Sequence, residues 1–122
     1  MKYHAAIGFP SNLRRPTGVA TLVYSEHALT EAASDRYGHK GVIVLPKRIN
    51  LDAPNSLIEV EALADGTLLK GVYRVRYNAL NDLVLVIVFG AELAFVRTIW
   101  LNRKGDNHAA LRYGAYDEPS VK

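Results

Sequence analysis

The sequence predicts an α+β domain: one main N-terminal helix on a mostly antiparallel sheet of about four or five strands, with a short C-terminal helix. Three observations carry this. A serine-capped segment, SEHALTEAASDRYG (25–38), reads as a helix that stops at Gly38. Two alternating segments flank Asp65-Gly66, a strong hairpin signal. An eight-residue apolar run, Leu83 to Gly90, suits a central strand covered on both faces.

In chain order, Tyr3 to Phe9 contains a short extended piece that ends at Gly8 and Pro10. Residues 1–18 are read as an arm, 19–113 as the core and 114–122 as a loose tail of one domain. Val19 to Tyr24 is β-branched and apolar, hence a strand. Glu26 then complements the helix dipole behind the Ser25 cap. Ala28, Leu29, Ala32, Ala33 and Tyr37 form a narrow stripe of small residues able to lie close to a sheet. Val42 to Leu45 is a short strand closed by Pro46, and Arg48 to Leu51 a brief extended piece. Leu57 to Leu63 alternates Ile58, Val60 and Ala62 with Glu59 and Glu61. A two-residue loop at Asp65-Gly66 sets Glu61 opposite Lys70, Glu59 opposite Val72 and Leu57 opposite Arg74. Asn78 to Asn81 turns into the central strand, and Leu93 to Leu101 follows as the next. Asp106 caps a short helix to Tyr113.

The totals fit one ordinary globular domain: 122 residues, 49% apolar and 22% charged. The net charge is +3, and residues 65–122 carry eight bases against six acids, which favours a polyanionic partner. No cysteine is present, so disulfides and thiolate metal sites are excluded. The N-terminal stretch lacks the apolar run of a secretory signal, and no segment approaches the length of a membrane span. These features predict a cytoplasmic protein without a membrane partner. No HExxH, Gly-rich phosphate loop or GxSxG occurs, and no cofactor is expected.

The candidate site residues cluster late in the chain. Lys70, Arg74 and Arg76 share one strand face at period two, with a spacing of about 6.6–6.8 Å between alternate residues, and Tyr77 follows. Lys70 has an ordinary partner in Glu61, whereas Arg74 and Arg76 have fewer evident acidic partners. Arg97 falls in the pattern Leu93, Phe95, Ile99, which suggests a partly buried guanidinium needing an acceptor. The last strand finishes in Trp100, Asn102, Arg103 and Lys104, ahead of Asp106 and His108. His27 sits in the first helical turn, where the positive dipole end favours the neutral imidazole that a general base requires. Glu31, one turn on, opposes that by pairing with an imidazolium. RNA cleavage at a 2′-hydroxyl needs a base, a proton donor for the leaving oxygen and cations for the phosphate. His108 or His27 with Tyr77 supply proton transfer in this reading, while Arg74, Arg76, Asn102, Arg103 and Lys104 hold substrate.

YSEHALTEAASDRYG, followed by IEVEALADGTLLKGVYRVRYNALNDLVLVIV and VRTIWLN, resembles the small toxin-like domains related to the RelE and BrnT ribonucleases over about residues 20–112. The resemblance implies a compact helix-on-sheet fold, bacterial or phage origin and metal-independent RNA cleavage. His27 matches the helix histidine of those domains, and Arg74, Arg76 and Tyr77 fall where they place polar site residues. The expected function is a toxin-like ribonuclease or RNA-binding relative. The alternative is a non-enzymatic phage or bacterial inhibitor that binds a host protein or nucleoprotein complex through the same basic face. An antitoxin or a second copy of the chain completes the set of expected partners.

Overall fold

A computed structural model describes residues 1–33, 43–53, 56–90 and 93–103. Seven strands form one sheet: β1 (Lys2–His4), β2 (Val19–Tyr24), β3 (Arg48–Asn50), β4 (Leu57–Ala62), β5 (Leu68–Arg76), β6 (Asn81–Phe89) and β7 (Ala94–Arg103). One helix, α1 (Glu26–Ala33), lies between β2 and β3 in sequence. The sheet order is β1-β4-β5-β6-β7-β2-β3. All neighbours are antiparallel except β2 and β7, which run parallel.

This corrects the expected α+β architecture. The described residues are mostly sheet, seven strands rather than about four or five and mixed through the one parallel pair β2–β7, with one short helix in place of a main one. The two extra strands are three-residue edges, too short to show a period of two. β1 draws its backbone partners from β4, with Tyr3 opposite Val60, and β3 draws its own from β2, with Ile49 opposite Ala20. Thus the stretch read as an arm contributes an edge strand. The predicted C-terminal helix, the loose tail and the helical continuation past Ala33 lie outside the described residues.

The β4–β5 hairpin keeps Glu61 opposite Lys70 and Glu59 opposite Val72, as its alternation predicts. Its turn is longer than expected. Leu63 N–H donates to Thr67 O at 2.9 Å and Gly66 N–H to Leu63 O at 3.0 Å, which leaves a three-residue loop with Gly66 at φ 90°. The added residue is absorbed by a register shift between Glu61 and Ala62. A Cβ on Gly66 would stand 2.0 Å from Asn12 O, because the N-terminal chain crosses directly over this turn. A second shift puts Leu57 opposite Tyr73 rather than Arg74.

Apolar side chains occupy both sheet faces, which explains why β6 at the centre is apolar from Leu83 to Phe89. The larger cluster holds Val60, Tyr73, Leu83, Leu85, Ile87, Val96 and Ile99 under Ala28 and Ala32 of α1, with Ile49 and Leu51 beside them. A smaller cluster on the other face joins Ile58, Val72, Val84, Val86 and Trp100. Lys70, Arg74 and Arg76 alternate with Tyr73 and Val75 and therefore share the second face.

Helix α1 is placed by the outer edge of β7. Strand β2 pairs with β7 only from Leu22–Ala94 to Tyr24–Val96. Beyond that point the helix replaces it. Ser25 N–H donates to Val96 O at 3.0 Å, and the Ser25 hydroxyl donates to Arg97 O at 3.1 Å. The same hydroxyl oxygen accepts from Ala28 N–H at 3.0 Å, completing the N-cap expected from the sequence. Buried Glu31 then accepts the Ile99 N–H at 3.2 Å.

Tyr73 places a costly polar group in the core. The Tyr73 hydroxyl is buried without a hydrogen-bond partner among the described residues, and its ring meets Phe89 edge-on at 6.1 Å. Burial pushes the Tyr73 phenol up to about 12, with smaller opposing effects from Arg15 and Asp52; burial does the same to Tyr24. A raised folded-state value means stability is fully present below the ordinary phenol value and is lost as pH climbs through the folded one. Urea midpoints should therefore hold to pH near 10 and fall towards pH 12. Tyr73→Phe should flatten part of that fall and leave stability at pH 7 unchanged or higher by about 1 kcal/mol.

Candidate functional site

Arg74 and Arg76 are neutralised in part by a residue the sequence reading passed over. Strand pairing sets Arg76 opposite Asp82. Arg74 Nε donates to Asp82 Oδ2 at 2.7 Å, and Arg76 Nε stands 2.9 Å from Oδ1 as an ion-pair contact off the hydrogen-bond line. Arg74 and Asp82 are each 11% exposed in their side chains, whereas Arg76 is 51% exposed. One carboxylate thus serves two guanidinium groups, and only Arg76 offers much of its surface. Trp100, opposite Val84, is buried and donates its indole N–H to Asn102 Oδ1 at 3.0 Å. Asn102 has a structural task there.

Tyr77 points to the other face. It packs against the larger core cluster, and its hydroxyl accepts the Val44 N–H at 2.9 Å, tying the 43–46 segment to the end of the sheet. Beside it lies a depression of about 470 Å³ lined by Val44, Pro46, Val75, Tyr77 and Leu83, with Arg76 among them. Arg103 ends β7 opposite Asn81 by its backbone. Its side chain, Lys104 and His108 lie outside the described residues.

The other end of the basic face gathers a different set. A register shift between Val86 and Ile87 sets Thr98 opposite Val86 and Val96 opposite Ile87, so Arg97 is the extra residue of a bulge. The bulge corrects the expected pattern of Phe95, Arg97 and Ile99 on one face. Ile99 enters the larger core, and Arg97 is exposed rather than partly buried. No carboxylate pairs with Arg97 among the described residues. A depression of about 370 Å³ is lined by Ser25, His27, Lys70, Val86, Arg97 and Thr98.

Three basic side chains line it, two of them beside carboxylates. Lys70 Nζ stands 3.6 Å from Glu61 Oε1, so this cation is anchored at one side by the partner expected from the sequence. His27 Nε2 stands 3.4 Å from Glu31 Oε1, and the imidazole is 57% exposed while the carboxylate is buried. The buried carboxylate stands beside the ring, and the Arg97 guanidinium has no carboxylate partner among the described residues. Lys70 is four residues from Arg74 along β5, about 13 Å at strand rise, so the depression is separate from the Asp82 pair. Among the expected site residues, then, His27 meets Lys70, while Arg74, Arg76 and Asn102 form another group and Tyr77 stands apart. Arg97, Thr98 and Ser25 were not predicted. The bulge that brings the first two in has no signature in the alternation.

Comparison of the chain with protein-family models, with curated proteins and with solved structures finds no match in any of the three. Among the described residues no helix is long and apolar enough to cross a membrane, and no three His, Asp or Glu side chains group so as to hold a metal ion.

Removing Asp82 should be expensive, because it takes the 2.7 Å carboxylate partner from the mostly buried Arg74 guanidinium. Asp82→Ala is expected to lower stability by about 3 kcal/mol in urea unfolding. Arg74→Met added to it should restore part of that loss, since the charge that Asp82 balanced goes with it.

Proposed function

We propose that the chain is a toxin-like, metal-independent ribonuclease or an RNA-binding relative of one, and that the depression between α1 and the basic sheet face holds the phosphate. The observation that carries this reading is the convergence of His27, Lys70 and Arg97 on one cavity, with the imidazole backed by Glu31. Cleavage would proceed by attack of a 2′-hydroxyl on the adjacent phosphorus, breaking the bond to the 5′-oxygen and leaving a 2′,3′-cyclic phosphate. In that scheme His27 takes the 2′ proton and passes charge towards Glu31. Lys70 and Arg97 stabilise the developing negative charge on the phosphate oxygens. His108, named from the sequence, is the proposed proton donor to the leaving 5′-oxygen. Tyr77 does not keep that role here, because its hydroxyl is engaged with Val44 on the other face. The segments that resemble RelE- and BrnT-related domains suggest the same reaction class, while the helix-on-sheet fold that the resemblance implies is not the one this chain forms.

The second reading is a non-enzymatic inhibitor that binds a host protein or nucleoprotein complex. The Asp82-neutralised arginine pair favours it, since that end of the face is built for rigidity rather than for phosphate.

Mixed RNA incubated with the protein in EDTA at pH 6–8 should be cleaved. His27→Ala should slow cleavage by about 10²–10⁴-fold while binding persists. Lys70→Ala and Arg97→Ala should each reduce the salt slope of RNA binding by about 0.7, the loss of one phosphate contact on a single strand. Intact RNA with binding retained would leave the non-catalytic relative. Neither cleavage nor binding would contradict the proposal and leave the protein-binding inhibitor.

A further inference from the structure

We infer that the nucleic acid taken by this face is single-stranded, with one base stacked on Phe95. The inference rests on the phosphate reading of the depression and deepens it.

The strand register sets Lys70, Val88, Phe95 and Val23 in one row across β5, β6, β7 and β2. Ala94 and Val96, on either side of Phe95, belong to the larger core, so the Phe95 ring projects from the basic face. It is 40% exposed. A solitary exposed apolar side chain is ordinary on a protein surface. Phe95 differs in what surrounds it. Its flanks are the half-buried Val88 and Val23, and the cations of the depression begin beside it. Lys70 lies two strand spacings away, about 9.5 Å, and Arg97 is two residues further along the same strand.

The ring also lies close to Gly90. A Cβ on Gly90 would stand 3.3 Å from Phe95 Cε2, so the absence of a side chain at Gly90 leaves room for the ring. An exposed aromatic beside cations on a sheet face is a platform for an unstacked base whose phosphate reaches the cations. A duplex keeps its bases stacked on one another and offers no free face to the ring. Trp100, the aromatic that composition points to first, is buried and bonded to Asn102 and cannot serve.

Fluorescence anisotropy with three labelled probes tests the inference: a single-stranded oligoribonucleotide, an abasic oligonucleotide of equal length and an RNA duplex. Phe95→Leu keeps an apolar contact with Gly90 but removes the π-face, and Phe95→Trp enlarges that face. The single strand should bind wild-type protein more tightly than the other two probes. Phe95→Leu should weaken its binding by roughly fivefold to a hundredfold and leave the abasic probe unchanged, while Phe95→Trp retains or tightens it. Equal binding of the single-stranded and abasic probes, unaltered by Phe95→Leu, would overturn the stacking inference and leave the phosphate site standing. Failure of wild-type protein to bind any of the three would remove the phosphate reading and this inference with it.

Discussion

The outer edge of β7 is the constraint on which the site depends. A ten-residue strand beside a partner that pairs with only three of its residues leaves buried backbone groups to satisfy. Ser25 and Glu31 do this from the helix, accepting or donating at Val96, Arg97 and Ile99. Because these contacts run along one strand edge, α1 has little freedom in position or rotation. His27 is consequently delivered to the rim of the basic face, and the bulge delivers Arg97 to the same rim. A single requirement for backbone satisfaction thus assembles elements far apart in sequence.

Charge on the second face is divided between two environments. At the Arg76 end, Asp82 binds two guanidinium groups under restricted solvent access, where breaking an ion pair is costly. At the Lys70 end, Glu61 stands 3.6 Å from the lysine, and Arg97 lines the depression with no carboxylate partner among the described residues. The first arrangement holds strands β5 and β6 in register. The second leaves electrostatic work undone, which is the condition under which an incoming anion gains most.

Much of this was legible in the residues, and the failures have physical causes. The central strand, the Ser25 cap and the Glu61–Lys70 pairing follow from apolar run, cap chemistry and alternation, all of which are local. Asp82 opposite Arg76 was also within reach, since the Asn78–Asn81 turn fixes that register, but the acid falls between the turn and the apolar run and was assigned to neither. β1 and β3 were legible only as short extended pieces at Tyr3 to Phe9 and Arg48 to Leu51, because three residues carry no period and their places in the sheet are set by partners distant in sequence. The parallel β2–β7 contact is likewise non-local. Arg97 was assigned to the wrong environment because alternation presumes an unbroken pleat, and one extra residue reverses it. Phe95 changed its meaning for the same reason: beyond the bulge its phase no longer matches that of Ile99.

The central claim is that ligand binding occurs where α1 meets the basic face, away from the Asp82 pair. Backbone amide chemical-shift mapping during titration with a short single-stranded oligoribonucleotide tests it most directly. The largest changes should fall on His27, Lys70, Phe95, Arg97 and Thr98, with Arg74, Arg76 and Asp82 little altered. Changes concentrated on Arg74, Arg76 and Asp82, with the depression silent, would contradict it.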